Sequence, residues 1–143
     1  MIILGCDHGG LELKEKIKNY LQKKNFDIVD VGAFELDKMD AFSDYVKKLK
    51  CAFYSNKEAR LIAVCGSGVG MSIGLNRIKG VYCVLGYSVD EVALARQHNN
   101  VNALALGGRN ISIQKAKKMV DAFLNTEHLG GKYTKRMLDL DNL

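Results

Sequence analysis

The segment Cys65-Gly66-Ser67-Gly68-Val69-Gly70 sets a thiol and a hydroxyl among alternating glycines. Glycine lets the backbone come close to a ligand. A helix is predicted to open at Val69, and the first amides of a helix are unpaired and carry partial positive charge. The amides of Gly66, Gly68, Val69 and Gly70 therefore suit an anion, whether a phosphate or an oxyanion that develops during reaction. A thiol beside a helix N-terminus can act as base or nucleophile. The other reading of Cys65 is a small buried core residue, and position alone does not choose between them.

Three further clusters carry chemistry. Asp7-His8-Gly9-Gly10 places an acid and an imidazole before two glycines, a pattern that suits hydroxyl or phosphate binding but also an Asx turn or helix cap. Arg96-Gln97-His98-Asn99-Asn100 offers an imidazole that can exchange a proton near neutral pH, or cap a helix end. Arg109, Lys132 and Arg136 are candidate phosphate ligands, with the last two on one helix face; each alone is more often a surface charge.

Short apolar runs alternate with amphipathic stretches and supply the elements that must position these groups. Strands are predicted at 2–6, 26–31, 60–65, 81–85 and 102–106. Helices are predicted at 11–24, around the stripe from Phe42 to Phe53, at 69–77, at 89–97, after the capping Ser112, and at 132–141. Such alternation implies an α/β fold: a three-layer αβα sandwich with a Rossmann-like, doubly wound, parallel five-stranded sheet and a C-terminal helix. With no linker or repeat in the sequence, residues 1–143 are expected to form one domain. In the common order 2-1-3-4-5, the switch point falls between the first and third strands. These end in Asp7-His8 and in Cys65-Gly66-Ser67, so two of the clusters are expected to meet there.

Composition narrows the classes. Of the 143 residues 48% are hydrophobic and 26% charged, enough for a core and ordinary for a soluble domain. No apolar run approaches the roughly 18 residues of a membrane span, and the start reads as a strand, not a signal peptide. The net charge of +5 suits an anionic small substrate; without aromatic interleaving or a recognition motif, no nucleic-acid partner is expected. The four cysteines form no C-x-x-C pair, which points to free thiols in a reducing cytoplasm, with Cys6, Cys51 and Cys83 as packing residues. The three histidines match no zinc spacing, so no metal is expected. G-x-G-x-G after the third strand is not the dinucleotide pattern, so no nicotinamide cofactor is expected either.

Taken in order, Asp7-His8-Gly9-Gly10, Cys65-Gly66-Ser67-Gly68-Val69-Gly70-Met71-Ser72, Arg96-Gln97-His98-Asn99, Ala103-Leu104-Ala105-Leu106-Gly107-Gly108-Arg109 and Gly130-Gly131 give the chain its character. Together they resemble the ribose-5-phosphate isomerase B family, which is related to the galactose-6-phosphate isomerase subunits. The resemblance implies interconversion of ribose 5-phosphate and ribulose 5-phosphate through a cis-enediolate, without metal or cofactor. It implies Cys65 as the base and Ser67 as a handler of hydroxyl protons. Glycine-loop amides form the anion hole, and His98 opens the furanose ring with Asp7 assisting in sugar binding. It implies His8, Arg109 and Arg136 as phosphate or substrate contacts and Asn99 as a sugar contact. It further implies a homodimer or a tetramer of dimers, with each site shared between two subunits.

The sequence departs from the family in contacts around the substrate. Phe42-Ser43 stand where the family often has Tyr-Pro, and Lys132-Tyr133 where it usually has Arg-His. Lysine keeps the charge at 132 but lacks the guanidinium fork. The loop from Gly86 to Glu91 differs as well. A hexose 6-phosphate is therefore an alternative substrate. A non-catalytic sugar-phosphate or nucleotide binding module is a third reading, but it would need neither Cys65 nor His98.

Overall fold

The computed structural model describes residues 1–143. The chain runs β1 (Ile2–Cys6), a short 3-10 turn (His8–Gly10), α1 (Leu11–Lys23), β2 (Ile28–Asp30), α2 (Phe42–Ser55), β3 (Arg60–Cys65) and α3 (Val69–Asn76). It continues with β4 (Cys83–Leu85), α4 (Val89–Asn99), β5 (Ala103–Gly107), α5 (Ile113–Asn125) and α6 (Lys132–Leu140). All five strands are parallel, as strands joined by helical crossovers must be. No helix is long and apolar enough to cross a membrane.

Alternate residues of each strand face opposite layers. Ile2, Leu4 and Cys6 of β1, with Ile62, Val64, Leu104 and Leu106, pack against Leu13, Ile17 and Leu21 of α1, Val92 of α4 and Val120 and Phe123 of α5. Ile3, Leu61, Ala63, Cys65, Ala103 and Ala105 turn the other way, onto Leu49 and Phe53 of α2 and Met71 and Leu75 of α3. This is the expected three-layer αβα sandwich. α6 lies outside it and packs on α4.

The strand order is β2-β1-β3-β5-β4, not the expected 2-1-3-4-5. β5 is buried along its whole length, whereas β4 has three half-buried residues. A strand buried on both faces belongs inside the sheet, and a short one tolerates the edge. β2, at the opposite edge, is likewise shorter than expected, with Val29 exposed. The switch point is unaffected. β1 and β3 are neighbours, in register from Ile2↔Arg60 to Cys6↔Val64, and the chain winds away from them in opposite directions.

Of the cysteines assigned to packing, Cys6 is fully buried and Cys83 half-buried. Cys51 is instead exposed, on the outer face of α2. Burial pushes the Cys6 and Cys83 thiols up to about 12.

Candidate active site

β3 ends at Cys65, which is buried and faces the α2–α3 layer. Gly68 then takes a left-handed conformation (φ 80°) that turns the chain into α3, which is why glycine stands there. The turn brings the Gly68 amide to donate to the Cys65 sulfur at 3.2 Å. The Val69 amide donates to the Ser67 hydroxyl oxygen, also at 3.2 Å. Two of the four amides expected to hold an anion thus have partners in the chain. The amides of Gly66, Ser67 and Gly70 have none, and they stand at the start of a helix where an anion is favoured.

β5 closes this loop from one side. The Gly108 amide donates to the Cys65 carbonyl at 2.7 Å, and the Arg109 amide to the Gly66 carbonyl at 3.0 Å. Arg109 folds back over the loop, its guanidinium 2.8 Å from where a β-carbon on Gly66 would sit. β1 closes the other side. Asp7 accepts from the Gly9 amide at 2.9 Å and caps the 3-10 turn, so the cap reading of this residue is realised. Its carboxyl also borders a cleft of about 310 Å³ with Cys65, Gly66, Ser67, Gly70, Arg109 and Phe42. Burial raises the Asp7 pKa, only partly offset by the Gly9 amide and by His8.

His8 is held by Asp40, a residue the sequence did not single out. The His8 amide donates to Asp40 Oδ1 at 3.0 Å, and His8 Nδ1 lies 2.7 Å from the same oxygen. Burial disfavours the Asp40 carboxylate, but the two hydrogen bonds from His8 to Oδ1 outweigh it and hold its pKa below the usual range, while the buried Oδ2 has no hydrogen-bond partner in the chain. Tyr45, half-buried beside this carboxylate, is pushed up to about 12 by partial burial and the Asp40 charge. The carboxylate accepts at Nδ1, which leaves His8 Nε2 without a hydrogen-bond partner in the chain. Asp7, His8 and Asp40 bring three potential ligand atoms within 4.8 Å of one another. Asp7 Oδ1 is taken by the Gly9 amide and Asp40 Oδ1 by His8, while Asp40 Oδ2 is buried without a partner.

Phe42 fills the remaining wall. Its ring lies 3.0 Å from where a β-carbon on Gly70 would be, so a side chain at 70 would have to displace it. A second, larger cleft of about 680 Å³ adjoins the first through Arg109 and is bordered also by His8, Lys16 and Lys38.

The remaining candidates lie elsewhere. His98 and Asn99 are in the last turn of α4, while Lys132 and Arg136 are exposed on α6. α4 runs back from the carboxyl end of β4 to the start of β5, so His98 stands at the amino end of the sheet. Cys65 pairs with Gly107 at the far end of β5. Four residues of strand separate them in projection, about 13 Å, before either side chain is counted. Asn100, in the left-handed region, caps α4, and not His98. The His98 ring is stacked on Tyr133, with centroids 4.5 Å apart and planes at 8°.

The profile of the Ribose/Galactose Isomerase family matches residues 2–140. The chain belongs to that family. It is 35% identical over 136 residues to the probable ribose-5-phosphate isomerase B of Mycoplasma pneumoniae, covering 95% of this chain and 90% of that protein. To the ribose-5-phosphate isomerase B of Escherichia coli it is 33% identical, covering 95% and 91%. The ribose 5-phosphate isomerase of Thermotoga maritima superposes with a TM-score of 0.94 at 40% identity, covering 99% and 97%. The Mycoplasma genitalium ribose-5-phosphate isomerase B, solved with bound ribulose-5-phosphate, also gives 0.94, at 34% identity and covering 99% and 93%. The fold is the one these relatives share.

Proposed function

We propose that the chain is an aldose–ketose isomerase that interconverts ribose 5-phosphate and ribulose 5-phosphate. The observation that carries this reading is the Cys65 sulfur beside three unengaged amides at the switch point of the sheet. It is supported by relatives named as ribose-5-phosphate isomerases and by a similar structure solved with ribulose-5-phosphate.

The chemistry follows from what faces the cleft. The Cys65 thiolate takes the C2 proton of the open-chain aldose, and the electron pair moves into a C1–C2 double bond as the carbonyl oxygen becomes anionic. Amides of Gly66, Ser67 and Gly70 meet that charge where it develops. The Ser67 hydroxyl moves the proton between the O1 and O2 oxygens, and the thiol returns its own proton to C1. Asp7 binds the sugar hydroxyls. His8, through Nε2, and Arg109 grip the phosphate. All of residues 1–143 serve this one domain, in a reducing cytoplasm that keeps its cysteines free.

His98 opens the furanose ring, but it cannot do so in its own chain, because it stands at the other end of the sheet from Cys65. A second copy therefore completes each site with its His98, Asn99, Lys132 and Arg136, in a homodimer or a tetramer of dimers. A mixing experiment tests this. Cys65→Ala and His98→Ala proteins, inactive alone, regain part of the activity when exchanged into one oligomer. No recovery in a verified mixed oligomer would count against a shared site.

A hexose 6-phosphate is the second reading, favoured by the larger cleft that continues past Arg109. Initial rates on ribose 5-phosphate against galactose and allose 6-phosphates decide between them. A kcat/KM higher on either hexose would overturn the pentose assignment.

A further inference from the structure

His128 stands in the turn between α5 and α6 and has no part in the chemistry above. Its Nδ1 is 2.9 Å from the Gln97 carbonyl, and its Nε2 is 2.8 Å from Thr134 Oγ1. A carbonyl can only accept, so Nδ1 carries the proton; in the neutral ring Nε2 then accepts from the threonine hydroxyl. The Leu129 amide donates to the same Gln97 carbonyl at 3.0 Å. Arg96, buried under the turn, donates from Nε to the Thr126 carbonyl at 3.2 Å and from Nη1 to Asn100 Oδ1 at 3.2 Å.

The two residues that His128 ties together have telling neighbours. Gln97 precedes His98, and Thr134 follows Tyr133. His98 and Tyr133 are the pair whose rings lie parallel at 4.5 Å. One imidazole thus clamps the backbone beside one ring to the side chain beside the other.

We infer that His128 is a positioning residue for His98: it locks the turn before α6 onto the last turn of α4 and so holds Tyr133 flat against the His98 ring. The stack covers one face of His98 and leaves its edge nitrogens for proton transfer. Neither Tyr133 nor His128 need touch the sugar. The inference rests on the reading of His98 as the ring-opening group.

The test separates ring opening from proton abstraction. At saturating ribulose 5-phosphate in deuterium oxide, hydrogen exchange at C1 reads proton abstraction by Cys65 alone. At saturating ribose 5-phosphate, kcat includes ring opening. His128→Ala, Thr134→Val and Tyr133→Leu are each expected to lower kcat on the aldose by on the order of tenfold and to leave the exchange rate unchanged. Tyr133→Phe, which keeps the ring, should restore what Tyr133→Leu loses. A wild-type aldose kcat in His128→Ala, or an equal loss in both measurements, would overturn the inference. A second readout does not depend on activity. NMR of the His98 ring protons should show them shielded by Tyr133 in the native chain and shifted downfield in His128→Ala; unmoved signals would also overturn it. Exchange that persists in Cys65→Ala would instead remove the base from the proposed reaction, and the NMR readout would still judge His128.

Discussion

The Gly68 amide donates to the Cys65 sulfur at 3.2 Å from a backbone conformation that glycine adopts at no steric cost. The sulfur is thus met as an acceptor, the role a thiolate fills, while the neighbouring amides stay free for the substrate oxygen. Cys65→Ala is expected to lower kcat by on the order of 10³-fold, the usual share of a positioned base. Calorimetric binding of ribose 5-phosphate should change little, because His8 and Arg109, the proposed phosphate contacts, are left in place. Full turnover by the variant would refute the role of the thiol.

Phe42 decides the room beside that sulfur. Its ring packs over Gly70 and borders the same cleft as Cys65 and Ser67. Phe42→Ala opens the cleft where the family's Tyr-Pro is missing. The kcat/KM ratio of hexose 6-phosphate to ribose 5-phosphate should rise by about tenfold, a size typical of changes in pocket volume. An unchanged ratio would place the discriminating contact elsewhere. Gly70→Ala should impair both substrates, the hexose more than the pentose, because the added methyl meets the Phe42 ring and crowds the cleft.

His8 depends on Asp40 for its orientation. With both the amide and Nδ1 of His8 on one carboxylate oxygen, the ring has little freedom to turn. Asp40→Ala removes the anchor and is expected to raise KM for the sugar phosphate about tenfold, the worth of one hydrogen bond to a charged group. The value of kcat should fall much less. Asp40→Asn retains an acceptor and should recover most of the loss. A variant that lowers kcat and leaves KM alone would move His8 from phosphate binding to the chemistry.

Much of this could be read in the sequence, and the reasons for the gaps are physical. Buried parallel strands appear as continuous apolar runs, so Ile2–Cys6, Arg60–Cys65 and Ala103–Gly107 were legible, and with them the layers and the switch point. The places of β4 and β5 were not, because neighbours in a sheet are chosen by burial and not by chain order. Cys65, Ser67, Asp7, His8 and Arg109 sit in or beside glycine turns, which mark themselves, and the structure gathers them. Asp40 lies in a run of charged and polar residues 32 positions from His8, and no local pattern joins the two. Cys51 lies on the α2 stretch yet points outward, since the stripe that packs is carried by Leu49 and Phe53. His128 matches no metal spacing, and its link to Gln97 forms only when α6 folds back on α4.

Asp7 shows what the site costs the fold. Burial of its carboxyl outweighs the Gly9 hydrogen bond and raises its pKa above the ordinary carboxylate value. A carboxyl whose pKa is raised on folding disfavours the folded state wherever it is ionised. The penalty is complete above the folded pKa, fades as the pH falls through it, and vanishes below the unfolded pKa of about 3.9. Asp7→Asn keeps an oxygen for the Gly9 amide and removes the charge. The variant is therefore expected to melt higher than the native chain at pH 7, with the difference in Tm closing as the pH falls toward 4. Its kcat/KM should drop if Asp7 binds the sugar hydroxyls as proposed, because the acceptor loses its charge. Asp30 supplies the opposite sign within the same protein. Burial disfavours its carboxylate too, but Lys18, Lys14 and the Gly32 amide outweigh this and lower its pKa. Its contribution is present above the ordinary carboxylate pKa and is lost as the pH falls through the lowered folded value. Asp30→Asn should thus melt lower at pH 7 and approach the native Tm in acid, the mirror of Asp7→Asn. Melting curves of the two variants between pH 3 and pH 8 check both signs. Parallel curves that never converge in acid would show that neither carboxyl acts through its ionisation.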